Sequence, residues 1–154
     1  MTTVAYAAVT RSGLSFDRQL WMRPEIIPGL RRLTDALHAD GAAAGIQLGH
    51  CGNMSHKSIC GCTPVGASGG FNLYSPTFVR GLRADELPEL ARAYGRSVNL
   101  AREAGFDAVE IHAGHGYLIS QFLSPATNHR KDEFGGSLQN RMRFMDMVLE
   151  EVMK

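Results

Sequence analysis

GFDAVEIHAGHGY, residues 105–117, changes character at one residue. Gly105 closes a helix-like segment, Phe106 to Ile111 reads as a short, largely apolar strand, and then His112, His115 and Tyr117 arrive within six residues, spaced by Gly114 and Gly116. An apolar strand that stops abruptly on polar groups is the pattern of an α/β fold, in which functional side chains gather beyond the C-terminal ends of the strands.

Working outward, the flanks have helical periodicity. Upstream, Asp85 is positioned to cap a helix from about Glu86 to Ala104, with Leu87, Leu90, Tyr94, Val98 and Ala101 on one face. Downstream, a polar loop from about Ser124 to Gly136 leads to Ser137, which caps a last helix carrying Leu138, Phe144, Met145, Val148, Leu149 and Val152. Nearer the N-terminus, Val4 to Val9 is a short apolar run followed by turn residues Arg11-Ser12-Gly13. Pro24 opens a helix with Ile26, Ile27, Leu30, Leu33 and Leu37 at helical spacing, ending at Gly41, and Ala43 to Leu48 reads as a buried strand. The alternation strand-helix-strand-helix-strand-helix predicts parallel strands joined by right-handed crossovers. A doubly wound sheet and a (β/α)8 barrel both fit, although three βα units cannot close a barrel that needs eight and about 250 residues. Residues 49–84, rich in Gly, Ser, Pro and Cys, form a long irregular stretch, and loops of that length in a compact domain are usually functional or disordered.

The chain of 154 residues is long enough for one hydrophobic core. Its 44% apolar and 20% charged residues are those of a globular protein, and a net charge of +1 with no basic run gives no reason to expect nucleic acid or an anionic membrane as partner. No stretch is long and apolar enough to span a bilayer, and Met1-Thr2-Thr3-Val4-Ala5 lacks the features of a signal peptide, so the cytoplasm is the expected location. Cys51, Cys60 and Cys62 are odd in number and clustered, which reads as reduced thiols rather than a disulfide framework. A metal site on Cys60 and Cys62 with His50 or His56 is disfavoured by the single intervening residue, so no metal is expected.

Two strand ends carry polar groups: Gly45-Ile46-Gln47-Leu48-Gly49-His50 and Val109 to Tyr117. A lone His or Gln at such a place is more often a satisfied structural group, but His112, His115 and Tyr117 are concentrated. Three readings compete. A metal pair of the metalloprotease kind needs a helix and an intervening Glu. A base with a nucleophile lacks a G-x-S-x-G elbow. A clamp of two imidazole donors on a carbonyl oxygen, with the phenol as proton donor, uses all three residues.

The stretch GFDAVEIHAGHGYLISQFLSPATNHRKDEFGGSLQNRMRF, residues 105–144, closely resembles the Old Yellow Enzyme family of FMN-dependent ene-reductases and NADH:flavin oxidoreductases. AGIQLGHCGN, residues 44–53, resembles that family's third barrel strand, and VAYAAVTRSG, residues 4–13, its second. Phe134 and Gln139 stand where the family often has Tyr and Glu, and residues 51–62 have no clear match. The resemblance implies an α/β fold that is a partial TIM (β/α)8 barrel, approximately strands 2–4 with their helices. Residues 1–154 would form an incomplete FMN-binding domain, the N-terminal half without the first strand and the C-terminal half. It also implies that Ala5 packs close to the flavin, Gln47 bonds the flavin's pyrimidine edge, His112 and His115 face the flavin and grip the substrate carbonyl, and Tyr117 protonates the substrate. Asn128, Arg130 and Asp132 read as a loop-fixing network, and Asn140 and Arg141 as structural.

The function so implied is reduction of the activated C=C bond of a small enone-type substrate, with NAD(P)H reducing FMN. The rival expectation is a catalytically silent truncated or split half-barrel that needs another chain to bind FMN. Three parallel strands cannot cover both faces and both edges alone, so the isolated chain is expected to be unstable, to form a homo-oligomer, or to be completed by a complementing barrel half.

Overall fold

The computed structural model describes all residues 1–154. In chain order the elements are β1 (Thr2–Ala8), α1 (Ile27–Ala39), β2 (Ala44–Gly49), α2 (Lys57–Cys60), β3 (Val65–Gly66), β4 (Gly70–Asn72), β5 (Thr77–Gly81), α3 (Leu87–Glu103), β6 (Ala108–Ile111), α4 (Leu118–Leu123) and α5 (Leu138–Val152). β1, β2 and β6 form an open parallel sheet in that order, with Gly45 to Leu48 in register with Ala108 to Ile111. These are three βα units with both sheet edges open.

One face of the sheet makes the core. Ile46 and Leu48 are fully buried, and Val4, Val109 and Ile111 pack onto the same cluster as Leu30 of α1 and Leu87, Leu90 and Tyr94 of α3. The hydrophobic effect thus holds the helices on one side only. On the opposite face Thr3, Ala5 and Glu110 are exposed and Gln47 is half-buried. β1 carries one extra residue against β2: Val4 pairs with Ile46 and Ala7 with Leu48, so Ala5 and Tyr6 share a bulge opposite Gln47. Bulges re-aim side chains and recur beside active sites.

Several details differ from the sequence reading. Asp85 does not cap α3. A 3-10 turn, Ala84–Glu86, precedes the helix, Asp85 pairs with Arg83, and the Glu86 carboxylate accepts the Arg83 backbone N–H at 2.7 Å. Two acidic residues compete for the cap, and the one three places along closes the capping geometry. The strand expected from Phe106 begins only at Ala108, because Phe106 turns its ring into the core while its N–H bonds Ala101. The irregular stretch 49–84 holds α2 and a small sheet, β3-β5-β4, and α4 follows Tyr117 directly. Ser137 caps α5 as expected, its hydroxyl accepting the Asn140 N–H at 3.2 Å.

Candidate active site

The site is built at the C-terminal end of β6. The His112 N–H bonds the Leu48 carbonyl, so the sheet ladder runs up to the first histidine. Since Gln47 pairs with Glu110, alternation along the strands puts Gln47, Glu110 and His112 on one face, the open one. The chain then turns sharply. His115 has φ +55 and Gly116 φ +70, both left-handed. For a non-glycine residue that conformation is uncommon, and such outliers cluster at functional sites. The turn folds the second imidazole back over the first: His115 Nδ1 lies 3.3 Å from His112 Nε2, and the ring centres are 5.0 Å apart. Tyr117, the N-cap of α4, sets its ring edge-on to His112 at 4.9 Å.

A fourth ring joins them. Tyr6, carried by the bulge, lies 5.2 Å from Tyr117 and 5.9 Å from His112, and its hydroxyl donates to the Gly13 carbonyl. Burial pushes its phenol well above the ordinary range, so it is a fixed neutral wall. Burial, and then the His115 imidazole, also hold His112 below its usual value, against the pull of Glu110. His112 is therefore a neutral ring at neutral pH, able to donate one N–H and accept one.

The structure thus brings His112, His115 and Tyr117 together, with Gln47 on the same sheet face. Ala5 sits exposed in the bulge and joins no contact of this ring cluster. Residues the sequence reading passed over complete the picture. Gln47 Nε2 donates to Glu110 at 2.6 Å, which fixes the amide and leaves its carbonyl oxygen without a protein donor. Glu110 had a signal in the sequence, a lone carboxylate inside Val109-Glu110-Ile111. Buried Gln121 of α4 donates to the carbonyls of Gly116 at 2.7 Å and Cys51 at 3.2 Å and to Asn53 Oδ1 at 2.9 Å, so it ties the histidine turn to the loop after β2. Nothing in its local sequence marks it.

Asn128, Arg130 and Asp132 are the framework of the next loop. Asn128 donates to the carbonyls of Phe122 and Phe134 at 2.7 and 2.8 Å. Arg130 bonds Asp132 at 2.9 Å and the carbonyls of Ala67 and Leu82, stacked between Phe122 and Phe134. Asn140 and Arg141 bond the carbonyls of Gly135 and Leu123. His50, fully buried, accepts the Gly52 N–H on Nδ1 and contacts Ser12 through Nε2, so both ring nitrogens are engaged within the protein.

Beside the histidines a cleft of about 540 Å³ is lined by His115, Gly116, Asn53 and Thr127, with Phe71 and Tyr74 from the β4–β5 hairpin. That is the size of a small-molecule site.

The family profile described as NADH:flavin oxidoreductase / NADH oxidase matches residues 1–154. The chain belongs to this family. It is a family of oxidoreductases whose cofactors are FMN and NAD(P)H. Among its curated relatives, the 4,4'-dithiodibutanoate disulfide reductase of Rhodococcus erythropolis is 40% identical over 152 residues, 99% of this chain and 38% of the relative. The NADPH dehydrogenase of Bacillus subtilis (strain 168) is 39% identical over 150 residues, 97% and 44% respectively. The Old Yellow Enzyme homologue of Zymomonas mobilis superposes with a TM-score of 0.92 at 33% identity, covering 98% of this chain and 45% of that one. Morphinone reductase in complex with tetrahydroNAD superposes at 0.91 with 29% identity, covering 97% and 46%. The chain therefore spans less than half the length of the relatives it matches, and its three βα units are a partial (β/α)8 barrel.

Proposed function

We propose that this chain is the substrate-activating wall of an FMN-dependent ene-reductase. The observation that supports it is the His112–His115 pair, two imidazole nitrogens 3.3 Å apart under a strained turn, with a phenol beside them and an amide on the same sheet face. The residues fit a flavin: Gln47 offers a carbonyl oxygen and a spare N–H, the acceptor–donor pattern that an imide edge matches, and Ala5 leaves a planar ring room at the bulge. FMN, when bound, supplies hydride taken from NAD(P)H.

The protein's own groups do the rest. His112 and His115 currently bond each other, and an enone oxygen placed between them accepts an N–H from each. Charge that develops on that oxygen during reduction strengthens both bonds, so the pair lowers the barrier in the manner of an oxyanion hole. The neutrality of His112 makes it a donor rather than an acid. Tyr117 holds the proton that the reduced carbon needs, and Tyr6 and Tyr117 shield His112 from water. Domain completion is part of the same reading: residues 1–154 act within a whole barrel, supplied by the same or another polypeptide, and the silent half-barrel is the outcome if none is supplied.

The test uses the full-length, FMN-loaded protein. In stopped-flow, Tyr117→Phe is expected to slow oxidation of the reduced flavin by 2-cyclohexenone at least tenfold while flavin reduction by NADPH is unchanged. His112→Ala is expected to abolish phenol binding seen as a long-wavelength band. Unchanged oxidative rates in Tyr117→Phe would remove the phenol as the acid. The Rhodococcus relative favours a second substrate class, organic disulfides, which the same assay separates from enones by rate.

A further inference from the structure

Away from the histidines, α2 ends in Cys60-Gly61-Cys62. Gly61 takes a left-handed turn, φ +76, at the helix C-cap, and this doubles the chain back so that the two Sγ atoms stand 3.6 Å apart. Cys60 is buried and Cys62 exposed. The fold thus offers one thiol to solvent with a second directly behind it. A disulfide needs the sulfurs at about 2.05 Å, a closure of under two ångströms across a single glycine. Cys51, the third thiol, is fully buried, and burial pushes it up to about 12.

Cys62 opens on a cleft of about 690 Å³. Its rim alternates charge: Arg80 pairs with Glu86, Arg83 with Asp85 and Arg96 with Glu89. With each cation paired to an anion the rim carries no net charge and draws no simple anion, but it presents both guanidinium donors and carboxylate acceptors to a ligand that carries ammonium and carboxylate groups together. We propose that Cys60 and Cys62 are a reversible dithiol–disulfide site whose oxidant is a low-molecular-weight zwitterionic peptide disulfide of the glutathione type. The step balances. The Cys62 thiolate attacks one sulfur of RS–SR and expels RS⁻. The Cys60 thiolate then attacks Cys62 Sγ, forms the Cys60–Cys62 bond and expels the second RS⁻. The dithiol loses two electrons, RS–SR gains them, and the two thiol protons end on two RSH. Partial burial and the Cys60 thiol hold the Cys62 thiol above its ordinary value, against the pull of Arg11 and Arg80, so exchange is driven at alkaline pH. The site stands independently of the flavin reading.

The full-length protein is incubated with oxidised glutathione at alkaline pH, without nicotinamide so that the flavin carries no hydride. It is then alkylated and its peptides are weighed. The Cys60–Cys62 peptide is expected to lose both alkylation sites and two hydrogens, while Cys51 takes label only after unfolding and so reports that the fold held. Cys60→Ser is expected to trap one glutathione on Cys62, and Cys62→Ser to leave Cys60 free. Full alkylation of both thiols in the unmodified protein overturns the proposal. So does glutathionylation of Cys60 in Cys62→Ser at the rate seen for Cys62.

Discussion

At the scale of single residues the protein separates its histidines by environment. His112 is tuned by burial and by its neighbour to stay neutral yet reach the open face. His50 is sealed inside, and burial holds it down at about 4. That shift has a direction in stability. The unfolded chain takes up a proton on His50 below about 6.5 and the folded chain does not, so the contribution is complete above 6.5 and is lost as pH falls toward 4. The shift corresponds to about 3 kcal/mol. Urea unfolding of the full-length protein at pH 7 and pH 5 is expected to show the loss, and His50→Gln to flatten the difference although it lowers stability at pH 7. A pH-independent midpoint in the parent protein would contradict it. The clustering of His112, His115 and Tyr117 was legible from residue types, because the three are local in sequence. Tyr6 was not, because its approach depends on a bulge defined only by the partner strand's register.

At the scale of elements, short pieces carry the precision. α4 is only six residues, yet its Gln121 holds three acceptors from two loops. Gln121→Leu strands these buried groups, each worth about 1–3 kcal/mol when unpaired. It is expected to lower the melting temperature and to weaken phenol binding together. Loss of stability with unaltered ligand affinity would show that the turn does not need the tie. α3 gives an expectation whose sign runs against propensity. Alanine normally stabilises a helix interior by about 1 kcal/mol over glycine. At Gly95, however, a Cβ would stand 2.8 Å from the Glu151 carbonyl of α5. Two backbones in contact cannot yield cheaply, so Gly95→Ala is expected to destabilise by about 1–3 kcal/mol in chemical denaturation. Long periodic helices and the parallel alternation were readable beforehand. α4 and the β3-β5-β4 sheet were not, because elements of six, two, five and three residues carry too few side chains to establish a period.

At the scale of the whole molecule the asymmetry of the sheet is the main fact: helices cover one face and the candidate site occupies the other. The β4–β5 hairpin adds Phe71, Leu73, Tyr74 and Phe78, all exposed, and Phe71 and Tyr74 wall the cleft next to His115. Tyr74 is 93% exposed, so its truncation should barely touch stability. Tyr74→Ala is expected to leave the unfolding midpoint in place and to raise KM severalfold for aryl-substituted enones relative to 2-cyclohexenone. Equal KM changes for both would place the hairpin outside the substrate's reach. No helix is long and apolar enough to cross a membrane. The family resemblance was readable from residues 105–144, whereas Phe71 and Tyr74 of the cleft wall lie in the irregular stretch 49–84, where no motif marked them.

The left-handed backbone at His115 also narrows what descent can do at that position. Few side chains other than glycine tolerate such a φ, and asparagine is foremost among those that also keep an N–H to offer. Drift there should run between histidine and asparagine, while valine or isoleucine would be purged for unseating the turn before chemistry is tested. A library randomised at codon 115 and sorted for folded protein would return glycine, asparagine, aspartate and histidine, and a second sort for phenol binding would leave histidine and asparagine.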